Sequence, residues 1–223
     1  MSRNVLFWQE DESPILARGS VASLTGPTGS AKTRLAVRMM ARLATGHPWI
    51  GGIRGHIDGR IAFVSLKDSI DDLKRMVLEE CNWAGIAPAE LVGKIELVDF
   101  VRWRDHFATS CQSYSLIIVD DASRDGQFGV SLGDTEHYVV MLRQLASRHL
   151  PGRPAMIVVQ GLMSGVWSIC DFTECNFSVS APTCELGVAR SDVGPWSLGV
   201  DSDLAYEEYH LPFRMTPSGI KEI

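Results

Sequence analysis

The sequence predicts an α/β fold with a mostly parallel sheet and helices on both faces. Two observations carry this prediction. Apolar runs such as IAFVSL at 61–66 and LIIVD at 116–120 recur along the chain, and segments with helical periodicity lie between them. Strands that are apolar throughout are typical of sheets buried on both faces, and strands that alternate with helices are typical of parallel sheets. The 223 residues fit one domain, since domains usually contain about 50 to 250 residues.

The individual elements follow from the same patterns. Leu35, Met39 and Leu43 recur every four residues as an apolar stripe, which predicts a helix that Gly46 and Pro48 end. Ser69 is the expected N-cap of the next helix. Strands are predicted at 20–25, 59–66, 94–100, 114–121 and 154–160, helices at 32–44, from Ser69 onward and at 134–150, and short strands beyond 165.

A basic stripe lies beside the apolar stripe of the first helix. Arg34, Arg38 and Arg42 are spaced so that they share one face. Such a face is most often solvated, and the alternatives are contact with nucleic acid or with a neighbouring subunit. The sequence therefore predicts a solvent-facing stripe.

Composition limits the classes of function. The net charge of −6 gives no sign of general nucleic-acid affinity through bulk charge. The five cysteines do not form a zinc-binding spacing, and no apolar stretch approaches the roughly 20 residues needed to span a membrane. The sequence predicts a cytoplasmic protein without a membrane segment.

Residues 26 to 33 read GPTGSAKT and resemble the pattern G-x-x-x-x-G-K-[ST] of a phosphate-binding P-loop, except that Ala31 replaces a glycine. In a P-loop, backbone N–H groups and the helix N-terminus attract phosphate, and the lysine reaches the terminal phosphates. Alanine fits the position if it adopts helical φ and ψ angles. A glycine-rich turn that matches by chance is the alternative. The residues predicted to bind ATP are Gly26, Pro27, Thr28, Gly29, Ser30, Ala31, Lys32 and Thr33.

An acidic residue ends the apolar strand at 114–121. Asp120 would orient Mg²⁺ through water from the end of a buried strand, and the hydroxyl of Thr33 would bind the same ion. An apolar strand that ends in aspartate is common, so this prediction depends on the P-loop about 90 residues earlier. ATP and Mg²⁺ are the predicted cofactors.

Taken together, the segments ARGSVASLTGPTGSAKT, LATGHPWIGG, GRIAFVSLKDSIDDLKRM, LIIVDDASR and PAMIVVQG resemble the RecA-like P-loop ATPases. Within them the chain is most similar to the plasmid RepA type of hexameric replicative helicase. The resemblance covers residues 16–165, preceded by an N-terminal arm (1–15) and followed by a β-rich tail (166–223). It implies a homo-oligomeric ring, with single-stranded DNA as a candidate partner and 161–167 as a loop facing the DNA.

The resemblance also implies roles for residues at other strand ends. Gln160 takes the place of a γ-phosphate sensor, although a polar strand end is an equally good interpretation. Lys67 stands where the family has the glutamate that activates water, and a charged lysine cannot accept a proton. Asp68 would face the other way if it lay on a strand, so Asp121 is the better substitute. Arg190 matches the first basic position of a segment that reaches a neighbouring subunit's nucleotide.

Asp192 replaces the second basic residue of that segment. Three functions therefore remain open. The first is a DNA-associated ring ATPase of a mobile element. The second is a nucleotide-binding assembly or regulatory subunit that hydrolyses ATP poorly. The third is a small-molecule kinase, against which the absence of an arginine-rich lid counts.

Overall fold

A computed structural model describes most of the chain. The described residues are 5–8, 14–27, 29–65, 68–99, 113–120, 154–161, 184–190, 195–202, 209–216 and 219–223. The helix predicted at 134–150 and the segment 162–167 lie outside the described residues.

The predicted strands from residue 20 onward and the first two helices occur where the sequence predicts them. The structure has strands β1 (Val5–Trp8), β2 (Pro14–Ala17), β3 (Val21–Gly26), β4 (Arg54–Gly55), β5 (Arg60–Ser65), β6 (Ile95–Asp99), β7 (Tyr114–Asp120), β8 (Ala155–Gly161), β9 (Cys184–Arg190), β10 (Trp196–Ser202), β11 (Tyr209–Thr216) and β12 (Gly219–Glu222), and helices α1 (Lys32–Thr45) and α2 (Ile70–Ala84). The structure thus adds strands β1, β2 and β4, which were not predicted. Short 3₁₀ helices lie at Ile50–Gly52 and Pro88–Leu91. Among the described residues, no helix has the length and apolarity needed to cross a membrane.

Nine strands form one sheet in the order β12-β11-β10-β9-β3-β8-β7-β5-β6. The six strands from β9 to β6 are parallel, and β9 to β12 pair antiparallel with one another. The strands of the tail therefore extend the main sheet. A second sheet, β2-β1-β4, contains the first strands of the chain. The fold is thus α/β with a mostly parallel sheet and an antiparallel C-terminal part, as predicted.

The apolar stripe of α1 packs into the core. Leu35 and Met39 are fully buried and Leu43 nearly so. The helix ends at Gly46, whose φ of 75° is in the left-handed region and allows the chain to reverse. Trp49 follows and is 3% exposed. Trp49 therefore packs the connection after α1 against the core.

The prediction of a solvent-facing basic stripe is wrong. Arg38 is 1% exposed. Its Nη1 donates a hydrogen bond to the backbone carbonyl of Ile220 in β12 at 2.5 Å, and its guanidinium lies 4.2 Å from the centre of the Trp83 ring. Its Nε is 3.9 Å from Oε1 of Glu80 in α2. The middle of the stripe is therefore buried between α1, α2 and β12.

The other two arginines also face α2. Arg42 Nε lies 3.0 Å from Glu80 Oε1, and Arg34 Nη2 lies 2.9 Å from Glu79 Oε2. Helical spacing correctly places the three arginines on one face. It does not show what covers that face, because α2 is about 40 residues away in the sequence.

Candidate functional site

The glycine-rich loop begins at the end of β3, the central strand of the nine-stranded sheet. Thr25 in β3 pairs with Gln160 in β8 on one side and with Gly187 in β9 on the other. The loop then turns into α1, which begins at Lys32. Ligands of open parallel sheets bind beyond the carboxyl ends of the strands, and this loop lies at the carboxyl end of β3. The strand, loop and helix that a P-loop requires are therefore all present.

The side chain of Lys32 is held inside the loop by hydrogen bonds. Its Nζ donates hydrogen bonds to the carbonyl oxygens of Gly26 and Pro27 at 2.8 Å each, and to Oγ of Ser30 at 3.3 Å. Ser30 is fully buried, and its backbone N–H donates to the Pro27 carbonyl at 3.2 Å. The ammonium group therefore connects the start of the loop to its end and is fixed before any ligand binds.

Two glycines of this loop are required for different physical reasons. A Cβ on Gly26 would lie 2.8 Å from Ser30 Oγ and 2.9 Å from the Val188 carbonyl oxygen in β9, distances too short for any side chain. Gly29 has a φ of +83°, and a Cβ there would meet nothing within 4 Å among the described residues. Gly26 is therefore required for space and Gly29 for its backbone conformation.

The expectation that Ala31 adopts helical dihedral angles is wrong. Its φ of 58° and ψ of 28° are left-handed, and among the described residues it is the only non-glycine residue with positive φ. Its carbonyl accepts the first hydrogen bond of α1, from Leu35 N at 2.9 Å. The loop therefore keeps the conformation of the glycine that the motif has here. The left-handed conformation costs an L-residue about 1 kcal/mol.

Thr33 and Asp120 meet at the same end of the sheet. Thr33 Oγ1 donates a hydrogen bond to Asp120 Oδ2 at 2.9 Å, although the two residues are 87 positions apart. Asp120 is the last residue of β7 and is 2% exposed. A buried carboxylate requires charged or hydrogen-bonded partners, and the Thr33 hydroxyl is one of them. The two residues that the sequence assigned to Mg²⁺ are thus brought together.

Ser65 ends β5 beside Asp120 and was not among the site residues predicted from the sequence. Ser65 pairs in register with Asp120, and its Oγ accepts a hydrogen bond from the backbone N–H of Asp68 at 2.8 Å. The available signal was a polar residue at the end of an apolar strand, the same signal that identified Asp120. Asp68 lies beyond the end of β5, so the argument from strand alternation does not apply to it. Ser65 therefore connects the end of β5 to Asp68, just before α2.

The remaining candidates are only partly described. Thr28, Lys67 and Asp121 lie outside the described residues. Gln160 is the second-last residue of β8, beside Thr25 of β3. Arg190 is the last residue of β9 and pairs with Trp196 of β10. The fold therefore brings the strand positions of both residues to the P-loop end of the sheet.

The residues present fit a nucleotide with Mg²⁺. Hard oxygen donors are the ligands that Mg²⁺ prefers, and one or two protein oxygens with substrate phosphates are its usual coordination. Thr33 and Asp120 offer a hydroxyl and a carboxylate oxygen 2.9 Å apart. The Gly26 backbone is too closely packed to admit a Cβ, and Lys32 supplies a positive charge fixed within the loop. This combination suits a polyphosphate with its metal ion.

Comparisons with known proteins agree with this geometry. A family model described as an AAA domain matches residues 12–131, more than half of the 223-residue chain. A KaiC-like protein from the hyperthermophilic archaeon Pyrococcus horikoshii OT3 has a similar structure, with a TM-score of 0.59 and 18% identity over 99% of each chain. At this identity the similarity shows the fold alone. A comparison with curated proteins gives no match. The chain belongs to the AAA domain family, and it is a P-loop ATPase of the RecA-like fold.

Proposed function

We propose that this protein binds MgATP in its P-loop and hydrolyses it as an oligomeric, DNA-associated ATPase of the RepA type. One observation carries the proposal. Lys32 is fixed by the loop carbonyls of Gly26 and Pro27, and the same helix start places Thr33 against Asp120. A lysine for phosphate and an oxygen pair for a metal ion are the two parts that ATP binding requires of a P-loop.

Each residue has a role that follows from its position. The backbone N–H groups of the loop and the start of α1 receive the phosphates, since a helix N-terminus favours negative charge. Lys32 neutralises charge on the terminal phosphates. Thr33 would hold Mg²⁺ and Asp120 would orient it through water, and the bound ion would supply positive charge to the phosphate oxygens. ATP binding therefore does not require the Lys32 side chain to move into the loop, because its ammonium group is already there.

Hydrolysis requires a group that accepts a proton from water. We assign this role to Asp121, which follows the metal-binding Asp120 in the sequence. Water attacks the γ-phosphorus, its proton passes to the Asp121 carboxylate, and the bond to the β-phosphate oxygen breaks to release ADP and phosphate. Gln160 would contact the γ-phosphate, and Arg190 would act on the nucleotide of a neighbouring subunit.

A second function is favoured by one residue. Lys67 occupies the position where the RepA-type relatives carry their glutamate base. General-base catalysis is typically worth about 10²–10⁴ in rate, so a protein without it could bind ATP and hydrolyse it slowly. The protein would then serve as an assembly or regulatory subunit in which bound ATP holds protomers together.

ATP hydrolysis with and without single-stranded DNA separates the two functions. A DNA-associated ATPase gives turnover that DNA stimulates, that Lys32→Ala abolishes and that Asp121→Asn lowers by about 10²-fold or more. Lys74→Ala is the matched control, because Lys74 is an exposed lysine that pairs only with Asp71 among the contacts described. Tight binding without phosphate release supports the assembly subunit. Turnover that survives in Lys32→Ala contradicts both.

A further inference from the structure

The P-loop is packed directly against strand β9. Beyond the paired residues Thr25 and Gly187, the chain in β3 continues to Gly26 and the chain in β9 to Val188. A Cβ built on Gly26 would lie 2.9 Å from the Val188 carbonyl oxygen and 3.0 Å from its Cβ. The Gly26 backbone is therefore in close contact with the β9 backbone, and neither can move toward the other.

The same glycine is bonded to the phosphate-binding lysine. The Gly26 carbonyl accepts a hydrogen bond from Lys32 Nζ at 2.8 Å. A phosphate that shares this ammonium group changes the strength of that hydrogen bond, because the charge on the lysine is then divided among more acceptors. The Gly26 peptide thus lies between the group that binds phosphate and the strand that borders the loop.

Strand β9 continues into an ordered antiparallel ladder with β10. Seven residue pairs join the two strands, from Cys184 opposite Ser202 to Arg190 opposite Trp196. Val188 is fully buried and opposes the fully buried Leu198 in this ladder. Close-packed elements transmit small displacements instead of absorbing them. A shift at Val188 should therefore reach the end of the ladder two residues later.

We propose that the end of the β9–β10 ladder, at Arg190 and Trp196, responds to phosphate occupancy of the P-loop through the contact between Gly26 and Val188. Val188 is then a positioning residue: it touches no ligand but links the loop to the ladder. This inference rests on the proposed nucleotide binding. It adds a specific route by which one protomer's ATP alters the strand end that carries Arg190.

Trp196 provides the readout. It is partly buried against the core at the end of the ladder, and replacement of the six tryptophans by fluorotryptophan gives one fluorine resonance for each. Trp196→Phe assigns the resonance. Addition of MgADP should shift it in a saturable manner, with the same midpoint as nucleotide binding measured by calorimetry. Nucleotide that binds without any shift of the Trp196 resonance overturns the proposal.

Two glycine variants test the contact without nucleotide. Gly26→Ala must displace the Val188 backbone, so the Trp196 resonance should shift in the ligand-free protein. Gly85→Ala is the control, since its Cβ also meets nothing within 4 Å of the described residues. Gly85 caps α2 outside the P-loop, so any strain at its φ of +68° should leave the Trp196 resonance in place. Equal effects of the two variants overturn the proposal. If MgADP fails to bind the wild type, the proposed function fails, while these variants still decide whether loop and ladder are coupled.

Discussion

At the scale of single residues, Ala31 shows the clearest energetic cost in the P-loop. Its φ of 58° is a conformation that glycine adopts without penalty. The cost is tolerated because Lys32 and the first hydrogen bond of α1 fix the residues on either side of it. The loop therefore retains the backbone geometry of the motif although the residue has changed.

Ala31→Gly should raise the free energy of unfolding by about 0.5 to 1 kcal/mol, because relief of the left-handed strain exceeds the added entropy of the unfolded glycine. Urea unfolding followed by circular dichroism measures the change. Ala36→Gly is the control, since Ala36 lies within α1 and is fully buried. That variant should lose about 1 kcal/mol or more. A loss of stability in Ala31→Gly would show that residue 31 has ordinary helical angles.

The sequence was sufficient to locate the loop but not the conformation of Ala31. The register of Gly26, Gly29, Lys32 and Thr33 identifies the motif, because these residue types have few other reasons to occur at that spacing. The left-handed angle at Ala31 contradicts the intrinsic preference of alanine, and its only signal in the sequence is that the motif has glycine at this position. It is imposed by contacts between the loop and its surroundings.

At the scale of elements, a buried ionic cluster joins the P-loop helix to α2. Glu80 is 9% exposed and lies between Arg38 and Arg42 of α1. Loss of one partner from a buried ion pair leaves an uncompensated charge, which costs about 3 kcal/mol or more. Glu80→Gln should therefore lower the free energy of unfolding by about 3 kcal/mol.

Glu79→Gln is the matched control for this variant. Glu79 is the adjacent residue of α2, and its ion pair with Arg34 is formed by side chains that are 40% and 38% exposed. An exposed pair contributes up to about 1 kcal/mol. Chemical denaturation of both variants makes the comparison. Equal losses would contradict a buried ionic role for Glu80.

Tyr114 is the first residue of β7 and contacts β6 at the end of the sheet opposite the P-loop. Its hydroxyl donates a hydrogen bond to Glu96 Oε2 at 2.7 Å. Burial, together with this hydrogen bond to a carboxylate, raises the pKa of Tyr114 to about 12 from a usual value of 10.0. The neutral phenol is therefore favoured in the folded state.

This shift predicts the sign of a stability change at high pH. Because the folded pKa of Tyr114 is raised, its contribution is complete below pH 10 and is lost as the pH rises toward about 12. In this range the wild type should lose stability faster than Tyr114→Phe, by no more than about 1.4 kcal/mol per pH unit. Denaturant unfolding of both proteins at a series of pH values measures the difference. Parallel curves would show that the Tyr114 pKa is unchanged by folding.

The strands could be predicted at this scale, and the partners of the helices could not. Apolar runs such as 61–64 and 116–119 are buried in the sheet because few other environments accept them. The arginines of α1 share a face, as their spacing predicts, but α2 and β12 cover that face through contacts distant in sequence. Long side chains such as Arg38 can be buried when carbonyl, carboxylate and aromatic partners meet them together.

At the scale of the whole molecule, one sheet connects the P-loop to the end of β9. Thr25 in β3 and Gly187 in β9 are paired neighbours, and Arg190 lies three residues further along. In the proposed ring, Arg190 acts on a nucleotide bound by another protomer. The site is then complete only when two copies of the chain meet.

Mixing two inactive variants tests this shared site. Lys32→Ala weakens nucleotide binding and removes the charge on the terminal phosphates, and Arg190→Ala removes the group acting across the interface, so each alone should hydrolyse ATP poorly. Mixed oligomers contain some sites in which an intact Lys32 faces an intact Arg190, and ATP turnover should partly recover on mixing. Arg214→Ala, at an exposed position in β11, is the control and should be active alone. No recovery would place Arg190 outside the shared site.

The central claim is that the P-loop binds nucleotide through Lys32, and calorimetric titration with Mg²⁺ and a non-hydrolysable ATP analogue tests it most directly. Hydrogen bonds to a charged group contribute about 1.5 to 3 kcal/mol, so Lys32→Ala should weaken binding by about tenfold or more. Lys74→Ala should bind as the wild type does. Equal affinity of the wild type and Lys32→Ala, or no binding by either, would contradict the account.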